Sequence, residues 1–262
     1  MPSYTDQLNN TIHLTATPQR IVSLVPSLTE LVVDLGAGEQ LVGRTKFCIH
    51  PKHINKMCVS IGGTKNININ KLHNLTPDLI IANKEENTLV QIQQLQQQYP
   101  VWISDVNTYD DALHMITGIS QALNKVPQGI TLINAIEHAK HQLQYSQTPQ
   151  VAYLMWHKPY MAAANNTFIN SMLQQAGFTN VFANLVRYPI VTINDLQHAA
   201  PEFIFLSSEP FPFAQQHIAQ LQQHVPHSKL ILVDGELFSW YGSRLVQAFH
   251  YFKTLRNALH LN

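Results

Sequence analysis

The chain of 262 residues is short of charge and of long apolar runs, and each shortage excludes a class of protein. Only 12% of its residues are charged, sixteen basic and sixteen acidic, with no evident basic stripe or polybasic tail. Since phosphate recognition relies on clustered Lys and Arg, nucleic acid and anionic membrane are poor partners. No apolar run approaches the roughly 20 residues that cross a bilayer. With 45% apolar residues, the chain is expected to fold with a weakly charged surface.

Cysteine is equally scarce, because Cys48 and Cys58 are the only two in the chain. Two are too few for a disulfide framework, so we expect reduced and partly buried thiols in preference to a bridge or a metal pair. The sequence also lacks the HExxH and CxxC spacings of common metal sites. We therefore expect no metal ion bound by protein ligands alone.

The first ten residues have neither the basic region nor the apolar core of a secretory signal. The sequence as it stands therefore predicts a cytoplasmic protein. If a signal was removed from the natural chain, the protein would instead be periplasmic.

Short β-branched runs alternate with stretches of helical periodicity along the chain. This alternation predicts parallel sheets covered by helices. The predicted strands are 20–25, 40–43, 59–61, 78–82, 101–104, 151–155, 203–206 and 230–233. The predicted helices are 27–35, 70–75, 88–99, 112–119, 127–145, 169–176, 215–223 and 245–259.

The length favours two domains, and the pattern suggests where they meet. We predict an α/β fold of two Rossmann-like lobes with mainly parallel sheets. The first lobe covers residues 18–122, one long connecting helix covers 123–147, and the second lobe covers 148–262. A single stiff connector permits only limited hinge motion.

Three motifs carry a family resemblance: RIVSLVPSLTE from Arg20, LTPDLI from Leu75 and GSRL from Gly242. From about residue 18 to about residue 255, the chain resembles the cobalamin and siderophore substrate-binding proteins of ABC importers. The stretches that begin at Ile61, Asn83, Trp156, Ser207 and Asp234 resemble those of one branch of that family, the helical-backbone metal receptors. The resemblance implies the helical-backbone substrate-binding fold. It also implies a cobalamin, heme or ferric siderophore ligand and no covalently bound cofactor.

Ligands of open parallel sheets bind beyond the carboxyl ends of the strands, which is where these stretches fall. Their aromatic rings suit a planar ligand, and their charged groups suit its amides or carboxylates. In the alternative interpretation, the rings pack in the core and the charges pair across the cleft. The predicted ligand-binding residues, expected to line a cleft between the lobes, are Ser27, Thr29, His50, Thr64, Lys65, Lys84, Glu85, Trp156, Lys158, Tyr160, Arg187, Tyr188, Glu209, Glu236, Phe238, Trp240, Tyr241 and Arg244.

Two further roles are considered for residues of these loops. His50 or His157 could reach an axial position of the ligand's own metal, although ordinary structural histidines are more common. Acids, bases and nucleophiles also occur in the loops, but no GxSxG, P-loop or GxGxxG motif does, so the chain is predicted not to be an enzyme. A corrinoid- or heme-modifying activity is the alternative, resting on Ser27, Thr29, Glu30, Lys84, Glu85, Glu86 and Asp234.

One departure from the resemblance concerns transport. In the importers, each lobe presents a Glu to Arg residues of the permease, whereas the matching positions here are Asn70 and Asn194. Without the two carboxylates, docking on an ABC permease loses most of its long-range attraction. The sequence therefore predicts a monomeric soluble carrier, scavenger or sensor. The alternative is the substrate-binding component of an importer for cobalamin or an iron chelate.

Overall fold

The computed structural model describes residues 2–261, which separate into two units by their internal contacts. The first unit contains the chain up to Val106, together with Asp110–Glu137 and Tyr241–Arg244. The second contains Asn107–Tyr109, His138–Trp240 and the chain from Leu245 onward. Each unit has one mainly parallel sheet with helices, so the predicted two-lobed α/β fold is confirmed.

The sheet of the first unit is entirely parallel and has the strand order β5-β4-β3-β6-β7. Its central strand, Ile21–Ser23, is fully buried. Two β-branched residues and a small one suit a strand that is covered on both faces. The strands are β3 (Ile21–Ser23), β4 (Leu41–Arg44), β5 (Val59–Ser60), β6 (Leu79–Asn83) and β7 (Val101–Ser104).

A hairpin of β1 (Ser3–Thr5) and β2 (Thr11–His13) precedes this sheet. The buried Asp6 carboxylate holds the turn, accepting hydrogen bonds from the backbone N–H groups of Leu8 at 2.9 Å and Asn10 at 2.8 Å. It also accepts from the N–H of Ile103 in β7 at 3.2 Å. The hairpin is therefore tied to the edge of the main sheet, although its strands are too short for the sequence pattern to reveal.

Six α-helices begin between Pro26 and Val126, a region in which Pro and Gly mark the ends of helical turns. Pro26 occupies the first turn of its helix, where its missing N–H costs no hydrogen bond. Gly36, with a φ of 75°, lies in the π-helical turn Val33–Ala37 that follows. The helices are α1 (Pro26–Val32), α2 (Ile54–Met57), α3 (Ile69–Asn74), α4 (Leu89–Gln96), α5 (Tyr109–Ala122) and α6 (Val126–His141).

The second unit repeats the pattern, with four parallel strands in the order β10-β8-β11-β12 and β9 antiparallel to β8. Its strands are β8 (Gln150–Trp156), β9 (Met161–Ala162), β10 (Thr179–Asn180), β11 (Phe203–Ser207) and β12 (Lys229–Val233). Its helices are α7 (Phe168–Gln175), α8 (Ile193–Ala199), α9 (Gln215–Gln222), α10 (Gly235–Ser239) and α11 (Leu245–Ala258).

The contact-defined units differ from the predicted lobes in three segments. Asn107–Tyr109, assigned by sequence to the first lobe, belongs to the second unit, and the predicted connecting helix is divided between the units after Glu137. Tyr241–Arg244, assigned by sequence to the second lobe, belongs to the first unit. The reason is a buried ion pair between Arg244 and Glu30 of α1. The long helix predicted to continue to residue 145 ends at His141.

Candidate functional site

The carboxyl ends of the first unit's strands are held by an amide network. Asn83, at the end of β6, donates to the Ser104 carbonyl and hydroxyl, both at 3.1 Å. Its own amide oxygen accepts from the N–H groups of Glu85 at 2.8 Å and Glu86 at 3.1 Å. Asn87 closes the loop by donating to the Thr64 carbonyl at 3.0 Å. The loop that carries the two carboxylates is therefore fixed by its own buried amides.

Arg244, a predicted ligand contact, is instead committed to a protein partner. Its Nε donates to Glu30 Oε2 at 2.8 Å and its Nη2 donates to Oε1 at 2.7 Å, a bidentate arrangement with both side chains largely buried. Burial raises the pKa of nearby Asp34. The guanidinium fork is occupied, so Arg244 is a structural residue of the first unit.

Three other predicted contacts of the first unit are buried. Thr29 Oγ1 donates to the Val25 carbonyl at 3.0 Å and lies 3.0 Å from Cys48 Sγ. Burial raises the phenol pKa of Tyr241 well above its usual range. Ser27, Thr29 and Tyr241 are therefore placed in the interior of the unit, which the sequence pattern did not anticipate.

Both cysteines are buried free thiols. Burial raises the pKa of Cys48, and it raises that of Cys58 to about 11. The thiols are therefore protonated near neutral pH, as expected of small apolar core residues.

The charged residues of this edge remain accessible. Lys84 pairs with Asp105 at 2.6 Å, and Lys65 donates to the backbone carbonyl of Glu85. His50 is half-buried, as is Glu85. These four predicted residues are placed where a polar ligand could contact them.

The second unit carries a set of ring side chains at the carboxyl ends of β8 and β11, here named the aromatic cluster: Trp156, His157, Tyr160, Phe211, Phe213 and His217. Trp156 is 40% exposed and meets the edge of Phe211, with ring centroids 5.9 Å apart. The His157 ring lies 5.1 Å from Tyr160, 5.3 Å from Phe211 and 5.0 Å from His217. An exposed indole is thus backed by packed rings.

The two histidines of the aromatic cluster have assignable states. Burial, together with His217 and Lys158, lowers the pKa of His157, so its imidazole is neutral near pH 7. His217 Nδ1 accepts from the backbone N–H of Ala214 at 2.9 Å, so its ring proton lies on Nε2. The cluster therefore offers neutral imidazole where the sequence alone could not distinguish a ligand from a core histidine.

A cavity of about 310 Å³ adjoins this cluster. Its volume lies at the lower end of the roughly 300–1,000 Å³ that is usual for ligand pockets. Donors and acceptors of several kinds surround it, including a lysine, a phenol and an amide. It is lined by His157, Lys158, Pro159, Tyr160, Ile193, Gln220 and His224.

Glu209 organises the next loop and explains the position of Trp240. Its Oε1 accepts from Ser239 Oγ at 2.8 Å and from Trp240 Nε1 at 2.9 Å. Burial raises the pKa of Glu209, and the neighbouring Glu236 and Asp234 raise it further. Trp240 is only 9% exposed, so the expectation that it would face solvent was wrong, because its N–H satisfies a half-buried carboxylate.

Phe238 is a core residue and not a ligand contact. It is fully buried, with ring centroids 4.7 Å from Phe252 and 5.3 Å from Tyr153. Glu236, two residues earlier in α10, is half-buried. The aromatic run before Gly242 thus supplies interior packing, as the alternative interpretation held.

Arg187 and Tyr188 lie on an accessible segment of the second unit. Arg187 adopts a φ of 64°, donates to the Asn166 carbonyl at 3.2 Å and approaches the Tyr188 ring at 5.5 Å. On the same segment, Val186 is 59% and Ile190 64% exposed. The sequence pattern did not single out these two apolar side chains.

The predicted ligand contacts therefore divide by burial. The accessible ones belong to the loops described above and are His50, Lys65, Lys84, Glu85, Trp156, Lys158, Tyr160, Arg187, Tyr188, Glu209 and Glu236. The buried ones are Ser27, Thr29, Thr64, Phe238, Trp240, Tyr241 and Arg244. Within residues 2–261 no group of three or more His, Cys, Asp or Glu side chains is placed to hold a metal ion. Over the same residues, no helix has the length and apolar character of a membrane span.

A family model described as periplasmic binding protein matches residues 21–229. The chain belongs to the periplasmic binding protein family. The vitamin B12-binding protein of Pectobacterium atrosepticum is 27% identical over 245 residues, covering 89% of this chain and 86% of the relative. That of Vibrio parahaemolyticus is 26% identical over 195 residues, 72% of this chain and 70% of the relative.

Solved structures share the fold. The periplasmic vitamin B12 binding protein BtuF of Vibrio cholerae superimposes with a TM-score of 0.79 at 22% identity, over 93% of this chain and 98% of that one. The periplasmic heme-binding protein RhuT of Roseiflexus gives 0.76 at 21% identity, over 92% of this chain and 98% of that one. At these identities the likeness establishes the fold alone.

Family membership settles three expectations. The resemblance to substrate-binding proteins of the cobalamin and iron-chelate class is confirmed, and the chain is a small-molecule binding protein and not an enzyme. The predicted cytoplasmic location was wrong, because the family and its solved neighbours are periplasmic. The error came from inferring a location from the first residues of the sequence.

Proposed function

We propose that the chain binds a corrinoid of the vitamin B12 class and that the aromatic cluster contacts the macrocycle. The observation that carries the proposal is Trp156, 40% exposed at the carboxyl end of β8 and backed by Phe211. Rings supported in this way offer a stiff apolar surface to a large planar ligand. The vitamin B12-binding relatives support the same ligand class.

Polar groups beside the rings orient the ligand. Tyr160, Lys158 and Gln220 line the adjoining cavity and supply hydrogen-bond donors and acceptors for the amide side chains of a corrin. A small-molecule site usually combines a few polar groups with a larger number of apolar ones.

Heme is the second candidate ligand, and one observation favours it. His157 is neutral near pH 7 because its pKa is lowered, and neutral imidazole is a common ligand of heme iron. A heme-binding neighbour of the same fold is consistent with this choice. Axial ligation by His157 would give hemin the visible bands of imidazole-ligated iron, which contact through the rings alone would not give.

The experiment that separates these ligands is a titration of the purified chain with cobalamin, cobinamide, hemin and a ferric siderophore, followed by visible absorbance. We expect saturable binding of the corrinoids in the micromolar range or tighter. Preferential binding of hemin, lost in His157→Ala, would replace the corrinoid with heme. Failure of all four ligands to bind below about millimolar would remove the proposal.

The chain acts as a carrier without the importer's docking charges. Asn70 on α3 and Asn194 on α8 are both exposed. Each therefore presents an amide, and not a carboxylate, at the protein surface. The adjacent Asp195 does not substitute for one, because its carboxylate accepts from the Thr192 N–H and hydroxyl, both at 2.7 Å. Attraction to a cationic permease is therefore weak on both units.

Restoring the carboxylates tests this role. In proteoliposomes containing a bacterial vitamin B12 importer, we expect the wild-type chain to stimulate uptake little. The Asn70→Glu/Asn194→Glu variant is expected to stimulate it more, because two charges then attract the permease. Asn70→Gln/Asn194→Gln is the matched control. Full stimulation by the wild-type chain would assign it to the importer.

A further inference from the structure

One segment of the first unit has a charge composition that the balanced total conceals. Between Glu39 and Asp78 the chain contains no acidic residue and six of its sixteen Lys and Arg residues. These are Arg44, Lys46, Lys52, Lys56, Lys65 and Lys71. The segment runs from β4 through α2 and β5 to α3, and β5 is an edge strand of its sheet. All but the buried Arg44 are exposed, so this segment presents positive charge on a chain of zero formal net charge.

Large apolar side chains interrupt this positive surface and are exposed with it. Phe47 is 50%, Ile49 47% and Met57 46% exposed. Lys46, Lys52 and Lys56 are exposed as well. We name this set the basic apolar surface: Lys46, Phe47, Ile49, Lys52, Lys56 and Met57.

The basic apolar surface is held by a buried framework. Ile54 is fully buried and Cys58 is 9% exposed, so α2 is fixed from within while Met57 beside them stays exposed. The Lys46 N–H donates to the Gly62 carbonyl at 2.7 Å, which joins the loop after β4 to the loop after β5. The Lys46 ammonium lies 5.0 Å from the Phe47 ring centre, so cation and ring are presented together.

Among the described residues, the three lysines of this surface have no acidic partner. Among residues 2–261, no carboxylate lies within ion-pair distance of Lys46, Lys52 or Lys56, in contrast to Lys84 with its Asp105. Unpaired ammonium groups and exposed apolar side chains both gain from one kind of environment. At an anionic bilayer surface, the headgroup phosphates attract lysines while Phe, Ile and Met enter the interface.

We propose that the basic apolar surface docks the first unit on an anionic phospholipid bilayer. Charge complementarity selects an anionic leaflet, and the interleaved Phe, Ile and Met side chains can enter its interfacial region. Binding is peripheral and reversible, because three lysines and three apolar side chains provide a limited attraction. This inference is independent of which ligand the chain binds.

Cosedimentation of the full chain with vesicles tests the proposal. Vesicles with roughly 30% phosphatidylglycerol in phosphatidylcholine are compared with pure phosphatidylcholine, at low salt and at about 0.5 M salt. We expect binding to the anionic vesicles at low salt, little binding at high salt and none to phosphatidylcholine. Absence of binding to anionic vesicles would overturn the proposal.

Variants locate the contact. We expect Lys46→Gln/Lys52→Gln/Lys56→Gln to lower the affinity on the order of a hundredfold, since each lysine near such a surface contributes roughly fivefold. Lys125→Gln/Lys229→Gln/Lys253→Gln removes the same charge outside the segment and should bind nearly as the wild type does. Equal losses in the two variants would overturn the assignment of the surface.

The apolar part of the surface is tested separately. Phe47→Ser/Ile49→Ser keeps every charge, and we expect it to lose at least half of the bound fraction while its melting temperature stays unchanged. Undiminished binding would mean that charge alone holds the chain and would overturn the role of the apolar side chains. Binding to soluble polyglutamate but not to anionic vesicles would replace lipid with an acidic protein partner.

Discussion

Trp156 is the only one of the three tryptophans that presents much of its ring to solvent. It is 40% exposed, whereas Trp102 is 2% and Trp240 is 9% exposed. Exposing an indole forgoes the stabilisation that burial of its apolar area would give. Phe211 supports the ring from one edge, which keeps it oriented. An exposed yet supported tryptophan is suited to an apolar ligand surface.

For Trp156→Ala we expect the dissociation constant of cobalamin to rise at least about tenfold, because a central aromatic anchor is lost. Trp156→Phe should recover part of the affinity. Leu232→Ala removes an apolar side chain of the same 40% exposure from the second unit and serves as the control. Calorimetric titration gives all the constants, and a wild-type value for Trp156→Ala would exclude this ring from the site.

Glu209 is a second residue with a measurable consequence. Its folded-state pKa is raised above the ordinary 4.5, first by burial and then by nearby acids. A carboxyl whose pKa is raised by folding favours the native state when protonated, at pH below its unfolded value. That contribution is lost as the pH rises through the folded-state pKa.

Glu209→Gln keeps an oxygen acceptor for Ser239 and Trp240 but never ionises. We expect the stability of the variant relative to the wild type to increase from about pH 4.5 to about pH 8. Urea unfolding at the two pH values measures the difference. A relative stability that is constant, or that falls with rising pH, would contradict the raised pKa.

The site was partly predictable at the residue scale. The lysines and carboxylates that the sequence places at loop ends are accessible, because burying an unpaired charge is costly. Trp240 and Phe238 were misassigned, since a polar loop sequence does not reveal that Glu209 accepts the indole N–H or that Phe252 covers the phenyl ring. His217 was missed because a helical histidine resembles any other until its neighbours are known.

Helix α11 shows how a single side chain can hold an element in place. Arg256 is fully buried and donates to the carbonyls of Ala176 at 3.2 Å, Gly177 at 2.9 Å and Leu261 at 2.8 Å. Its guanidinium also lies 4.9 Å from the Tyr145 ring centre. One cation thus joins the end of α11 to the turn after α7.

Arg256→Ala is expected to lower the free energy of unfolding by about 3 kcal/mol or more, because several buried carbonyls lose their donor. Arg256→Lys should restore only part, since an ammonium lacks the planar fork. Lys253→Ala, an exposed position of the same helix, is the control and should have little effect. Chemical denaturation measures all three, and a loss below about 0.5 kcal/mol for Arg256→Ala would deny it this role.

Elements with a strong period were predictable, and short ones were not. Strand β7 lies where the sequence pattern predicted it, because a run of apolar residues between turns has few alternatives. Helices α8 and α10 were missed, since seven and five residues give too little periodicity to detect. Helix α8 depends on local chemistry instead, through the capping box of Thr192 and Asp195.

For the molecule as a whole, composition was a poor guide to charge and to location. The zero formal charge conceals a segment of 38 residues with six cations and no acid. The net charge of the chain does not describe the charge of a local surface, because screening confines surface attraction to about 8 Å at physiological salt. Location likewise followed from family membership and not from the first residues.

A calorimetric titration of the wild-type chain with cobalamin tests most directly whether the chain binds a corrinoid. We expect one molecule bound per chain, because the aromatic cluster offers a single site, with a dissociation constant in the micromolar range or below. Absence of measurable binding up to about 1 mM cobalamin, by a chain that unfolds cooperatively, would contradict the assignment of a corrinoid ligand.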